Sequence, residues 1–418
     1  SSGEAAVHSF PDPNPRLRRT MPPAAALMGE LLEDPFLRLS PELVEEVFFR
    51  LPPDEPACLA HASAVCKPWR RILADVGFRR RYRKFHGTPP VLGLFQRGDW
   101  LFRKGSRLVP TSALFPAQPD HPDWFAMDCR HGRALFARIW DTSVLMVLDP
   151  VSGHQRLVSS PYIHPVSFNA APVSFSAAVL CAAQGCDHHG CQGGHFRLAV
   201  VTTNDVQEVT SGWLYSSETR VWSELTSVHH PNVRFTNLAA PSVLVGDALY
   251  FNLDGIIQCQ LGTLCLSMLE KPIDGNGTLM ATQDGLLGFA AVVDAAYLTL
   301  WSREAGPKGA MGWAKLRIID LEALLPVGAM SLTLEFRRRV HALVISSIAE
   351  GTQIIFVIAR AGSYMVDLES GRVRPVSSLC RKIFPYMSFY IPGTITYICA
   401  QSCAIPCYNL SVALGNME

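Results

Sequence analysis

Five strand–turn–strand units recur along the chain, and their spacing limits the fold more than any other feature. They are Val144–Val158 around Pro-Val-Ser-Gly, Trp213–Leu225 around Ser-Ser-Glu-Thr, Ile256–Leu269 around Leu-Gly-Thr, Tyr297–Leu316 around Gly306 and Tyr364–Val376 around Glu-Ser-Gly. Their turns centre near residues 151, 218, 262, 306 and 370, so that two intervals are 44 residues and the other two are 67 and 64. A repeat of this length is that of a four-stranded propeller blade. Both long intervals carry insertions: the Gly/His/Cys-rich segment 182–195, and Ile319–Arg339 with a short helix expected at Leu321–Leu325. A second marker precedes most units, a glycine turn between two apolar strands, at Gly132, Gly246, Gly285 and Gly351. Five blades are read directly. A sixth is expected to join Val91–Phe95 and Trp100–Phe102 to Tyr386–Ile391, closing the ring with strands from both ends and leaving few open edges. A large β-sandwich or an open array of sheets is the alternative.

Composition agrees with many buried strands and tight turns. Of 418 residues, 48% are hydrophobic and only 17% charged, with 30 Gly and 30 Pro, which excludes a disordered or coiled-coil chain. The net charge is +1, so no global field draws in nucleic acid or an anionic membrane, and neither is expected as a partner. No run of eighteen apolar residues occurs, so no transmembrane helix is expected. The 12 cysteines form no CxxC pair, which suits reduced thiols in the cytoplasm or nucleus. The sequons at Asn276 and Asn409 are read as chance.

The N-terminal part follows a different period. Leu43, Val47 and Leu51 recur every four residues and Val44 and Phe48 widen the stripe, which predicts a helix with one apolar face. Ser40-Pro41 starts it and Leu51-Pro52-Pro53 stops it. A second helix is expected from about Pro56 to Val65, and a third from near Pro68 through Trp69, Ile72 and Leu73. Three helices in under fifty residues bury little surface alone. Either they cap the large domain or a partner completes them.

The spelling favours the partner. Leu39-Ser-Pro-Glu-Leu43, Val47-Phe-Phe-Arg-Leu51-Pro-Pro, Cys58-Leu59, Val65-Cys-Lys-Pro-Trp69-Arg-Arg-Ile-Leu73 and the closing Phe78-Arg-Arg-Arg-Tyr82-Arg-Lys-Phe85-His86 together resemble the F-box of plant F-box proteins. Ser40 departs from the family, which usually has proline there. The β-rich part resembles the propeller-like associated domain of the same proteins more loosely, through Phe384-Pro-Tyr-Met-Ser-Phe-Tyr-Ile-Pro392. The resemblance implies an α+β multidomain chain: a disordered extension over 1–36, a three-helix F-box over 37–86, an all-β propeller-like domain of about six blades over 87–398, and a tail over 399–418. It implies a Skp-type adaptor as partner and, through it, a cullin, in an SCF-type ubiquitin ligase whose target protein the β domain holds. The adaptor-binding residues it points to are Leu39, Pro41, Leu43, Val47, Phe48, Leu51, Pro52, Leu59, Val65, Cys66 and Trp69, with Trp69 and Phe48 as anchors. Some of them must serve the helices' own core. Eight basic residues between Lys67 and Lys84 are read as a solvated helix face.

Enzymatic motifs are missing. There is no Walker-type loop, GxSxG elbow or HExxH pair, so no catalytic residue and no cofactor are expected. Cys181, Cys186, His188, His189, Cys191 and His195 cluster within fifteen residues, but their spacing matches no common zinc pattern and the segment reads as a flexible loop without metal. Cys399, Cys403 and Cys407 are read as part of a packed or frayed tail. Trp100, Trp124, Trp140, His121 and His131 are weak candidates for a binding face. The leading expectation is a substrate adaptor without enzymatic activity. The others are a propeller scaffold with no ubiquitin-ligase role, and a propeller hydrolase or metal enzyme.

Overall fold

The computed structural model describes residues 39–391 except 99–104, 112–120, 139–142, 162–172, 184, 187, 189–190, 192, 205–206, 230–240, 254, 307–308, 330–342 and 378–381. The expected extension 1–36 and tail 399–418 lie outside the described residues, as do Trp100, Trp140 and the three C-terminal cysteines. The chain divides into two compact units between Phe48 and Phe49.

Among the described residues four helices come first: α1 (Pro41–Phe49), α2 (Pro56–Val65), α3 (Lys67–Ala74) and α4 (Val76–His86). The sequence reading expected three. The fourth arises at Asp75, whose extended backbone ends α3 and whose carboxylate accepts from the Phe78 N–H at 2.7 Å, capping α4. Cys66, also extended, separates α2 from α3 without a side-chain cap.

The remaining strands build six antiparallel sheets among the described residues. The first contains β1 (Val91–Arg97) and β2 (Ser106–Pro110). The second runs β3 (Trp124–Arg130), β4 (Arg133–Arg138), β5 (Val144–Asp149), β6 (His154–Ser159). The third runs β7 (Val173–Cys181), β8 (Phe196–Asn204), β9 (Val209–Ser216), β10 (Val221–Glu224), with β11 (Val228–His229) also on β9. The fourth is β12 (Val243–Val245), β13 (Ala248–Asn252), β14 (Ile256–Gln260), β15 (Cys265–Leu269). The fifth is β16 (Thr278–Ala281), β17 (Leu287–Val293), β18 (Tyr297–Ala305), β19 (Met311–Asp320), followed by the short α5 (Leu321–Leu324). The sixth is β20 (Leu343–Ile348), β21 (Ile354–Ala359), β22 (Gly362–Asp367), β23 (Val373–Ser377). The last strand, β24 (Lys382–Met387), pairs with β1 and so completes the first sheet.

Among the described residues six apolar clusters close the ring. Each joins one sheet to the next, for example Leu135 and Val147 of the second to Val179 and Leu198 of the third. The sixth cluster returns to the start, with Phe356 and Ala349 of the last sheet against Val91, Leu94 and Ile383 of the first. The β domain is therefore a six-bladed propeller. Middle strands such as β8 and β21 are buried on both faces, hence their unbroken apolar runs, while the outer β6 (His-Gln-Arg-Leu-Val-Ser) is mostly exposed and polar.

All five expected hairpins are present, as β5–β6, β9–β10, β14–β15, β18–β19 and β22–β23. The four glycine turns separate the first two strands of the second, fourth, fifth and sixth blades, each glycine at positive φ. In the third blade the segment 182–195 takes their place. The closing strand is Lys382–Met387 rather than Tyr386–Ile391, β1 pairs on its other side with β2, and the expected Trp100–Phe102 lies outside the described residues. The apolar run continues past β24, so the apolar pattern alone placed its pairing portion too far along.

Candidate adaptor-docking helices and axial cavity

On α1 the backbone N–H of Leu43 lies 3.4 Å from Ser40 Oγ and Glu42 adds a negative charge to the first turn, both favourable at a helix start. Its buried side chains are Val44 and Phe48. The row one residue earlier faces outward: Leu43 is 54% exposed and Val47 half-buried. The sequence stripe therefore contains two rows roughly 100° apart, one covered and one open.

The following helices keep a compact core of their own. Leu59 and Ala62 are buried on α2, Trp69 and Leu73 on α3, Phe78 and Tyr82 on α4. Leu51, between α1 and α2, is 3% exposed, and its carbonyl accepts from the Tyr82 hydroxyl at 2.8 Å. Phe49 stacks on Phe78 with centroids 5.2 Å apart. Arg79 Nε donates to the Leu73 carbonyl at 2.9 Å and Arg70 Nε to that of Ser63 at 3.0 Å, so two of the eight basic residues tie turns together.

The predicted contact residues thus separate. Pro41, Leu43, Pro52 and Val65 are exposed, Leu39, Val47 and Cys66 half-buried, and Phe48, Leu51, Leu59 and Trp69 buried. Trp69 and Phe48, expected as anchors for a partner, are core side chains at 8% and 0% exposure. Val76 and Phe85, at 78% and 64%, are apolar surface that the sequence reading did not place among the contact residues.

At the centre of the propeller lies a cavity of about 330 Å³, lined among others by Asp128, Arg130, Ser242, Thr278, Glu350 and Phe389. Arg130 organises it. Its Nη1 donates to Asp128 Oδ2 at 3.0 Å and to Ser242 Oγ at 3.1 Å, its Nη2 to the Ser242 carbonyl at 2.6 Å, and its Nε to Glu350 Oε2 at 3.1 Å. Asp128 also accepts the Val179 N–H at 3.0 Å. Five hydrogen bonds, two of them also ion pairs, connect the second, third, fourth and sixth blades. Burial, reinforced by Glu350 and only partly offset by Arg130, raises the Asp128 carboxyl to about 6. For Arg130 burial opposes the charge, but Asp128 and Glu350 outweigh it and hold the guanidinium ionised. Nothing in the sequence reading reached this network. The available signal was Asp128-Cys-Arg130, two charges with period two in an otherwise apolar strand.

His131 alone of the described weak candidates lines this cavity; Trp124 instead lies half-buried under Arg138, and His121 is buried elsewhere. His131 and Gly132 both have positive φ, forming the two-residue turn between β3 and β4. Burial, together with Arg130, His188 and Arg133, pushes the His131 imidazole down to about 2, so it is neutral. Nearby, Cys181, Cys186, His188 and Cys191 converge, with their ligating atoms within 4.8 Å of one another. The sequence reading expected a flexible loop here because it judged linear spacing; the end of β7 and the loop's turns bring the four together in space. His195 is exposed and outside the group, and His189 lies outside the described residues.

A family model described as "F-box domain" matches residues 36–81. This segment is an F-box domain. The match covers α1 to α3 and the first half of α4, and the F-box thereby accounts for the leucine, double-proline and Val-Cys-Lys-Pro-Trp elements. No curated protein matches the chain. Among solved structures, the chain is similar to the β-propeller domain of Myceliophteria thermophila Cps50 (Swd1), at 12% identity over 70% of this chain and 83% of that one, TM-score 0.34. It is also similar to TolB from Acinetobacter baumannii, at 14% identity over 74% and 69%, TM-score 0.34. A third is the β-propeller domain of the trilobed protease from Pyrococcus furiosus, at 9% over 61% and 82%, TM-score 0.31. The six blades are read from the strands themselves. No described helix is long and apolar enough to cross a membrane.

Proposed function

We propose that this protein is the substrate-recognition subunit of an SCF-type ubiquitin ligase and catalyses no reaction itself. The F-box binds a Skp-type adaptor and through it a cullin, and the propeller binds the target. The observation that carries the reading is an F-box segment whose apolar side chains are partly buried and which still leaves Leu43 and Val65 exposed. Buried Phe48, Leu51, Leu59 and Trp69 shape the helices; Pro41, Leu43, Val47, Pro52 and Val65 are the contact residues, with Leu39 and Cys66 at the margin. A ligase subunit of this kind supplies proximity and orientation for chemistry done elsewhere. The axial mouth, with two carboxylates around one guanidinium, suits a target group that donates hydrogen bonds. The free thiols of the described residues suit the cytoplasm or nucleus.

One observation favours a second reading, a propeller scaffold with no ligase role. Trp69, Leu51 and Leu59 are already covered, so the helices do not need a partner to bury them. Affinity purification of the full chain from cells separates the two. Recovery of an adaptor and a cullin, with further proteins accumulating when the proteasome is inhibited, supports the ligase reading. Recovery of targets without either subunit supports the scaffold.

A further inference from the structure

We propose that Cys181, Cys186, His188 and Cys191 form a zinc site that fastens the loop 182–195 to the propeller. Four nitrogen or sulfur ligands in a tetrahedron are what zinc requires, with about 2.3 Å to sulfur and about 2.0 Å to nitrogen, which puts ligand atoms about 3.7 Å apart. The four side chains already hold theirs within 4.8 Å of one another, so closing the set takes shifts of roughly 1 Å. All three cysteines are free thiols, and all four residues are half-buried, shielded from bulk solvent without being sealed from it.

The surroundings hold the set from outside. Cys181 ends β7, and its N–H donates to His131 Nδ1 at 3.1 Å. The His131 ring stacks on that of His188, with centroids 3.7 Å and planes 15° apart, and so fixes the imidazole that would ligate. Arg133 places Cys191: its Nη1 lies 3.9 Å from the sulfur, and its Nη2 donates to the carbonyls of Cys191 and Gly194, the latter at 2.9 Å. Outer groups of this kind orient ligands and tune them. Zinc with three thiolates and one imidazole carries one net negative charge, and Arg133 is the cation next to it.

The composition of the loop also calls for an added fastening. Where the second and fourth blades turn in two residues and the fifth and sixth in five, the third uses residues 182–195, which contain four glycines and no large apolar side chain. Such a segment cannot bury a core of its own, and a metal supplies the missing free energy. His188 lines both the axial cavity and a second cavity of about 570 Å³ bounded by Cys181, Arg197, Leu244 and Asp247. The metal therefore shapes one wall of the propeller face. The inference does not depend on the ligase reading.

The test is elemental analysis of the full-length chain purified with reductant and without chelator, beside Cys186→Ser/Cys191→Ser and the control His195→Ala. One zinc per chain is expected in the wild type and in H195A, and none in the double variant. Zinc-free wild type that takes up none on titration, zinc retained by the double variant, or a disulfide among the three cysteines in the intact mass would overturn the proposal. If the double variant does not fold, cobalt titration of the wild type decides. One equivalent giving thiolate-to-metal charge transfer and tetrahedral ligand-field bands supports the site, and their absence refutes it.

Discussion

The ring of Tyr82 on α4 meets that of Phe389, just past the closing strand, edge-on with centroids 6.4 Å and planes 82° apart. Tyr82 is fully buried and its hydroxyl also holds the Leu51 carbonyl, so one side chain secures both the chain entering α2 and the segment that ends the propeller. Phe389 itself lines the axial cavity.

This relationship predicts graded losses at position 82. Tyr82→Phe keeps the ring contacts and removes one buried hydrogen bond, at a cost of about 1 kcal/mol. Tyr82→Ala removes the ring as well, at roughly 3–5 kcal/mol. Chemical denaturation of the two variants checks the order; equal losses would mean that the ring is not packed as described.

Trp69→Ala should behave as a core mutation, destabilising by about 3–5 kcal/mol. Leu43→Asp and Val65→Asp, on exposed positions, should change stability by about 0.5 kcal/mol or less. Melting curves distinguish these cases. A stable Trp69→Ala protein would return that residue to the list of contact candidates.

The Arg130 network gives a pH prediction. Asp128 titrates near 6 when folded against an ordinary 3.8, so between those values the folded state holds a proton that the unfolded state has released. Its contribution is complete below about 4 and is lost as pH rises through 6, by at most about 3 kcal/mol. The unfolding free energy of the wild type minus that of Asp128→Asn should therefore be larger at pH 5 than at pH 7.5. A difference that is flat, or that grows with pH, would contradict the burial-dominated carboxyl.

Arg130→Met leaves Asp128 buried without its cation and should destabilise by about 3–5 kcal/mol, partly recovered in Arg130→Met/Asp128→Asn. Denaturant midpoints for the three variants test this. Additive losses would show that the two side chains act independently.

Much of this architecture could be read before any coordinates. Blade count and hairpin positions follow from local signals: apolar runs sized for strands buried on both faces, and glycines where the turns need positive φ, as at Gly132 and Gly351. The F-box was legible because its helices and caps are local as well. What escaped depends on contacts between distant segments. Leu43 and Val44 are both apolar neighbours on one helix, and only packing decides which is covered. Arg130 finds Ser242 and Glu350 112 and 220 residues away. Cys181 and Cys191 have no recognisable ligand spacing, yet a strand end and the stacked His131 and His188 gather them.

The most direct measurement is isothermal titration of the purified full-length chain with a purified Skp-type adaptor, alongside the Leu43→Asp/Val65→Asp variant. The account predicts one-to-one binding by the wild type, and binding weakened at least about tenfold in a variant that melts like the wild type. No heat of binding from the folded wild type, or equal affinity in the double variant, would contradict it.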